Sequence, residues 1–445
     1  MLEHSKAATP VAVVLSASLT GLATVRSLAA GKVPVLAAVA DWAQPAARSR
    51  LCRAHLRPAD DHDDGSAVAW LVELCKRLES RPVVIPSSDA DALWLAKHAD
   101  LLRPHCRFST TTHDDLMNIV SKDRLYAIAQ AVGVPVVPAI TEPAGEALTQ
   151  WSLLHPGPYL LKPFYNRMPG TVLRQKNLLI ERREDLMTYV EKNGSLGLIV
   201  QRSLSGGDGF ILDCYGLCGA DGRPIAMASH RRIRQGPANF GTTSFGEIPA
   251  LGDNAVEAKL FDYTARLLQG VNFHGIFGIE WLQDQATGEL YLIDFNARPF
   301  SSIGHLRDCG LNLPWLAYRD LLGEDLSGVP QRPQLSHLYW MDALSDVFGC
   351  KTSGSTHWWA WLKSLSQCRS FAVWDWRDPM PWVSETTLAL SRAVRNVRLR
   401  AVLHRHAEIP ERSRHRVARP RDTPGPNKLN RPARTSGFSE SITET

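Results

Sequence analysis

The stretch LYLIDFNARPF, residues 290–300, begins as an apolar strand and then sets Asp294, Asn296 and Arg298 at two-residue spacing. Side chains alternate across a strand, so these three share one face, while Ile293, Phe295 and Ala297 are expected to turn toward a core. A buried carboxylate must find a cation or hydrogen-bond donors. Carboxylate and amide oxygens are hard ligands that suit Mg²⁺, and an arginine one step further can hold an anion with its planar fork. Read alone, the pattern also fits an edge strand with one solvated face that ends at Pro299.

Working outward, the preceding segment GIFGIEWLQDQATGE reads as another strand and a short connection, which places Glu280 beside Asp294 across a hairpin. Glu280, Asp294 and Asn296 then offer three oxygen donors on one wall. Two lysines stand in telling places. Lys162 ends the apolar strand YLLK just before Pro163, and Lys122 opens a helix, where a cation opposes the helix dipole. Each is also what a surface charge looks like.

The chain has 445 residues, too many for one core, with 44% hydrophobic and 21% charged residues, an ordinary globular composition. Its net charge of +5 comes from the end of the chain. From Ser391 onward there are 13 Lys and Arg against 5 Asp and Glu, leaving 37 against 40 before it. The eight cysteines form no CxxC pair and have no histidine cluster beside them, which argues against zinc and against a disulfide framework. Residues 10–25 carry no charge, but Ser, Thr and Gly break the run and Arg26 ends it, so it reads as strand, turn and helix rather than a secretory leader. No run of about eighteen apolar residues appears, so no membrane span is expected and a cytoplasmic location is.

Strand and helix alternate over residues 1–118 (VAVVLS, LATVRSLAAG, VPVLAAVA, SAVAWLVELCKRL, RPVVIPSS), which predicts a parallel sheet with helices on both faces. The first turn is SASLTG rather than GxGxxG, and no GxxxxGK[ST] occurs, so neither a dinucleotide fingerprint nor a P-loop is present. An α+β region is expected over 119–330. A Trp-rich extension follows over 331–402, with seven of the thirteen tryptophans expected to pack mostly on the body of the protein. Residues 403–445 are rich in Arg, Pro and Ser and are expected to be disordered. Arginine-rich disorder can bind phosphate backbones, but no nucleic-acid recognition fold accompanies it, so nucleic acid is not an expected partner.

In this order, Lys122, Lys162, QRSL (201–204), Glu280 and DFNAR (294–298) resemble the ATP-grasp superfamily, over roughly residues 8–330. The grasp resembled is of the biotin-carboxylase and carbamoyl-phosphate-synthase type. The helix SKDRLYAIAQAVGVPVVP is similar to the entry helix of that fold, and LYLIDFNARP to its E-x-N-x-R strand. The resemblance implies a pre-grasp domain, a two-lobed grasp and bound ATP with Mg²⁺, for which Mn²⁺ could substitute. Lys122 and Lys162 would contact phosphates, with Lys176 as a second loop lysine. Gln201, Ser203 and Leu204 would lie along adenine, and Asp208 would accept the ribose hydroxyls. Glu280, Asp294 and Asn296 would hold metal. Arg298 would steady the transferred phosphoryl or the acyl phosphate, and Arg231, Arg232 and Arg234 of SHRRIRQG would recruit a carboxylate or phosphate. Asp294 stands where the superfamily usually has Glu, one methylene shorter with the charge kept. WDWRDPMPW (374–382) resembles the C-terminal segment of predicted carboxylate–amine ligases.

The implied reaction makes an acyl phosphate from a small carboxylate, which an amine then attacks to form a C–N bond. A carboxylase working with a separate biotinyl carrier and a catalytically silent nucleotide-binding scaffold are the alternatives. A homodimer is left open.

Overall fold

Four short strands near the N-terminus, β1 (Ala12–Leu15), β2 (Val35–Val39), β3 (Arg53–Leu56) and β4 (Val83–Ile85), run parallel in the order β3-β2-β1-β4. They belong to a computed structural model that describes residues 9–58, 64–165, 173, 177–204, 209–236, 241–249, 255–352 and 358–407. Every residue of β1 is buried, as a strand with helices on both faces must be. Ala12 and Val14 pack with Leu22, Val25 and Leu28, while Val13 and Leu15 pack with Leu71, Trp94 and Leu102. The helix Leu19–Ala30 stops at Gly31, where an added Cβ would lie 2.1 Å from the Trp315 ring, so only glycine lets that indole approach. β3 has no signal in the sequence because it is an edge strand with mostly exposed side chains.

The next sheet contains β5 (Ala139–Thr141), β6 (Tyr159–Pro163), β7 (Leu178–Ile180) and β8 (Leu198–Arg202), antiparallel in the order β5-β8-β6-β7. It is reached through the helix Lys122–Ala131, which buries Leu125, Tyr126 and Ala129. Gly133, at φ +69°, turns the chain back so that the Val134 N–H bonds the Ala129 carbonyl at 2.8 Å.

A larger sheet is ordered β13-β12-β9-β10-β11-β14-β15. It contains β9 (Ile211–Cys218), β10 (Pro224–Gly236), β11 (Thr242–Glu247), β12 (Gly275–Gln283), β13 (Leu290–Asn296), β14 (Tyr339–Met341) and β15 (Cys368–Phe371). Its pairs are antiparallel except β14 with β15. The Trp-rich segment thus supplies the last two strands of the sheet that carries Glu280 and Asp294.

The tryptophans of that segment divide. Trp340 is buried, but Trp359 is 84% and Trp376 72% exposed, with Trp374 and Trp382 also exposed, so the expectation that most pack on the body is corrected. Trp340 lies on β14, paired on both sides by β11 and β15, whereas the exposed four lie on a helix face or in the turn after β15. What ties this segment down is polar. Asp378 is fully buried and accepts from Arg26 Nε at 3.0 Å, Ser49 Oγ at 2.8 Å and the Arg50 N–H at 3.0 Å. The Arg26 guanidinium also reaches the Val373 and Asp378 carbonyls.

Among the described residues, those up to Leu388 form one compact unit and those from Ala389 a second; residues 408–445, for which disorder is expected, lie outside the described residues. The helix Met380–Ala407 continues past residue 403, where composition predicts disorder, because after Pro381 in its first turn no Gly or Pro occurs before Pro410. Among the described residues no helix is long and apolar enough to cross a membrane.

Removing one partner of a buried ion pair leaves the other charge uncompensated. Asp378→Ala is expected to cost about 3–5 kcal/mol, read as a lowered urea midpoint. Arg377→Ala, on an exposed neighbour, is expected to stay within about 0.5 kcal/mol of the parent.

Candidate active site

β12 and β13 place Glu280 directly opposite Asp294 and Gly278 opposite Asn296. Between the pairs Glu280/Asp294 and Trp281/Leu292 the register shifts, leaving Ile293 as one extra residue on β13. Phe295 and Ala297 enter the core as expected, together with Leu290 and Leu292. Ile293 does not: it is half-buried and lines a cleft. A bulge re-aims side chains, and here it turns Ile293 and Asp294 toward the same space.

That cleft, of about 330 Å³, opens between the sheet of β5–β8 and the sheet of β9–β13. Its charged lining is Lys122, Lys162, Arg202, Arg232, Glu280 and Asp294, four cations against two carboxylates. Its apolar lining includes Val137, Leu160, Leu179, Ile211, Leu282 and Leu292. An excess of positive charge beside apolar walls suits a ligand with a flat base and several phosphates.

Each carboxylate has a cation. Lys122 Nζ lies 2.7 Å from Asp294 Oδ1, with both side chains largely buried. Arg232 Nη2 lies 2.8 Å from Glu280 Oε1 and 2.5 Å from Asp213 Oδ1. Asp213 also meets His230 Nδ1 at 3.1 Å and accepts from the Tyr215 hydroxyl at 2.9 Å. Burial would raise the Asp213 carboxyl, but Arg232 and His230 outweigh it and hold it at about 2. The same pairing lifts the Arg232 guanidinium well above its ordinary value against the opposing effect of burial. The Tyr126 hydroxyl donates to the Ile293 carbonyl at 2.8 Å. Burial, reinforced by the Asp294 charge, raises that hydroxyl's pKa.

Lys162 and Gln201, on the paired strands β6 and β8, are buried in the cleft wall, and Ser203 and Leu204 continue the lining after β8. Arg202, which carries no weight in the sequence reading, lines it too. Asn296 lies beside the cleft, its Nδ2 donating to Glu280 Oε1 at 3.2 Å. Arg298 turns away from the lining. It pairs with Asp89 at 3.0 and 3.2 Å and donates to Asn296 Oδ1 at 3.0 Å. Arg234 is held elsewhere, by Asp346 at 3.0 and 2.8 Å and over the Phe245 ring at 4.2 Å. Lys176 and Asp208 lie outside the described residues.

Two acids have no part in the sequence reading. Asp213 is a lone carboxylate on an otherwise apolar strand, ILDCYG, and that isolation is the signal that could have found it. Asp89 follows β4 at the carboxyl edge of the parallel sheet. Strand order reverses there between β1 and β4, the usual ligand crevice of such sheets. Ser16 Oγ, at φ +61° just after β1, and Ser88 Oγ both donate to Asp91 Oδ2, at 2.5 and 2.6 Å.

The donor set fits a hard cation with a small protein share. Two carboxylates face the cleft with the Asn296 amide beside them, its oxygen accepting from Arg298, and among the described residues no group of three or more His, Cys, Asp or Glu could cage a metal alone. Mg²⁺ with few protein ligands and several phosphate oxygens is the coordination such a wall accepts.

No family model matches the chain. The C-terminal section of the carbamoyl phosphate synthase large chain of Methanopyrus kandleri is 20% identical over 224 residues, 49% of this chain and 40% of that protein. The chain therefore spans about two fifths of that curated relative. Among solved structures, N5-carboxyaminoimidazole ribonucleotide synthetase from Thermus thermophilus superposes with a TM-score of 0.55 at 16% identity, covering 74% of this chain and 81% of that one. Carboxyaminoimidazole ribonucleotide synthase from Aspergillus clavatus, complexed with ATP, matches at 0.55 and 14%, covering 74% and 81%. Biotin carboxylase from Campylobacter jejuni, in a β-γ-ATP complex, matches at 0.54 and 14%, covering 73% of each chain. The fold is the ATP-grasp fold.

Stability should carry the signature of Asp213. Its carboxyl is lower folded, at about 2, than unfolded, at about 3.9, so the stabilisation is present above pH ~4 and is lost as pH falls toward 2. Urea midpoints measured across that window should fall, and in Asp213→Asn, already destabilised, the fall should be shallower.

Proposed function

We propose that this chain is an ATP-dependent ligase that activates a small carboxylate as an acyl phosphate for attack by an amine, releasing ADP and phosphate. The observation that carries this reading is the cleft in which Lys122, Lys162, Gln201, Glu280 and Asp294 meet from separate elements of the ATP-grasp fold.

The chemistry follows from charge. A carboxylate is a poor electrophile because its own charge repels a nucleophile, and phosphorylation by ATP replaces that charge with a leaving group. The protein then has mainly to position reactants and neutralise phosphate. In this reading Gln201, Ser203 and Leu204 hold the base against the apolar wall. Lys122 and Lys162 neutralise phosphate oxygens. Glu280, Asp294 and Asn296 would hold Mg²⁺, which on binding supplies further charge neutralisation at the phosphates. Arg298, on the same segment and tied to Asp89 at the crevice of the parallel sheet, steadies the carboxylate as it is phosphorylated. Arg232 keeps Glu280 in place through its buried pair with Asp213.

One observation favours a second reading. Both candidate metal carboxylates are already ion-paired, Asp294 with Lys122 and Glu280 with Arg232, as a catalytically silent nucleotide-binding scaffold would also have them.

Calorimetric titration with a non-hydrolysable ATP analogue, with and without Mg²⁺, separates the two from no site at all. Binding is expected to need Mg²⁺. Lys162→Ala should weaken it about tenfold to a hundredfold, since hydrogen bonds between charged groups are worth ~1.5–3 kcal/mol. Asp294→Ala should weaken the metal-dependent part. ADP release in a screen of carboxylate and amine pools would then support the ligase. Binding without turnover in any pool would favour the scaffold, and no binding by the folded protein would sink both.

A further inference from the structure

A second cavity, of about 470 Å³, shares no lining residue with the nucleotide cleft. Its floor is made of small residues: Ala23, Ala29 and Ala30 on the helix Leu19–Ala30, and Gly304 on the helix Ile303–Asp308. Small side chains at these positions leave the volume open. Trp340 and Phe371 contribute apolar wall, and Trp374 and Trp376, both exposed, stand at its edge.

The charges here do not cancel. Arg26 is neutralised by Asp378, and Arg307 pairs with Asp308 at 2.6 Å. Among the described residues Arg369 reaches only main-chain carbonyls, those of Ser366 and Cys368 at 3.4 Å, and the Arg377 guanidinium lies 4.9 Å from the Trp376 ring centre. Among the described residues no carboxylate forms an ion pair with either. The remaining acid in the lining, Asp375, accepts from the Arg377 backbone N–H at 2.8 Å. The cavity is left with one net positive charge. It is also held in shape, since the buried Asp378 anchors the turn that presents Trp374, Trp376 and Arg377.

We propose that this cavity is a binding site for a small carboxylate carried on a flat ring. Arg369 and Arg377 take the carboxylate, which matches the guanidinium fork. Trp374 and Trp376 take the ring, for which they offer large rigid surfaces. A cavity of this size accommodates a bicyclic ligand, within the ~300–1,000 Å³ range of small-molecule sites. Ser301 and Gly304 in its lining belong to the segment that follows directly from Arg298, so an occupant touches the chain that carries this candidate active-site arginine.

Titration of the full-length protein with 2-naphthoate, acetate and 2-naphthalenemethanol tests this, by calorimetry and tryptophan fluorescence. Saturable binding of 2-naphthoate at one site is expected, at least about tenfold tighter than either the acid or the ring alone, as two cooperating contacts require. In Arg369→Ala/Arg377→Ala, both exposed positions, it should weaken about tenfold or more, the worth of a charge-assisted hydrogen bond. Gly304→Leu fills the floor and leaves Arg369 and Arg377 unaltered. Its added Cβ would meet nothing nearer than Arg307 Nη2 at 3.9 Å, an ordinary contact, so binding should be lost while the urea midpoint stays close to that of the parent. Lys162→Ala should leave binding unchanged. Equal binding of the neutral alcohol, binding that survives Gly304→Leu, binding lost in Lys162→Ala, or no saturation would each overturn the proposal.

Discussion

Two carboxylates facing each other across neighbouring strands, Glu280 and Asp294, are the constraint around which the central part of the molecule is arranged. Two carboxylates at facing positions of a partly buried wall need cations brought to them. The cations come from far away in the chain. Lys122 arrives on a helix that precedes the grasp strands, and Arg232 on β10. Arg232 is itself buried and needs Asp213 behind it, and Asp213 in turn takes His230 and Tyr215. A surface feature of one hairpin is thereby tied to the interior of the seven-stranded sheet.

The same arrangement suits the proposed chemistry. A polyphosphate with its metal brings anions for Lys122 and Lys162 and a cation for Glu280 and Asp294. Binding would therefore exchange one set of ion pairs for another rather than expose bare charge. Such an exchange gives the ligand different contacts in the two states, which is what any ligand-driven rearrangement requires. The bulge at Ile293 contributes locally by turning two successive residues of β13 toward the cleft, which a regular strand cannot do.

The flanking regions are joined to this centre by buried or half-buried ion pairs as well as by packing. Arg298 with Asp89 links β13 to the crevice of the parallel sheet. Arg234 with Asp346 links β10 to the helix after β14, and Arg26 with Asp378 links the first helix to the turn after β15. Pairs of this kind add little net stability compared with apolar contacts, but breaking them is costly, so they favour one arrangement over near alternatives. They also explain why the tryptophans around Asp378 can remain exposed: the turn is held by its carboxylate, and the indoles are left for solvent or a ligand.

By itself the sequence determined the local pieces. Alternating apolar runs marked β1, β2 and β4, the GIFGIE–QATGE–LYLIDFN run marked the β12–β13 hairpin, and two-residue spacing put Asp294 and Asn296 on one side. Lys162 was legible because a charge ending an apolar strand stands out within a few residues, Lys122 because it opens a helix against the dipole, and Gln201 only through the resemblance of its strand to the grasp hinge. Period and turn chemistry are short-range properties, so a sequence can carry them. β3 was illegible because an exposed edge strand has no apolar period, and the Ile293 bulge because register is a property of two strands. Only the tertiary structure decided which charges meet. Asp213 behind Arg232, Asp89 on Arg298, Asp346 on Arg234 and Asp378 on Arg26 are partnerships between distant segments. A guanidinium's role depends on which carboxylate reaches it, and that is set by how the sheets and helices pack.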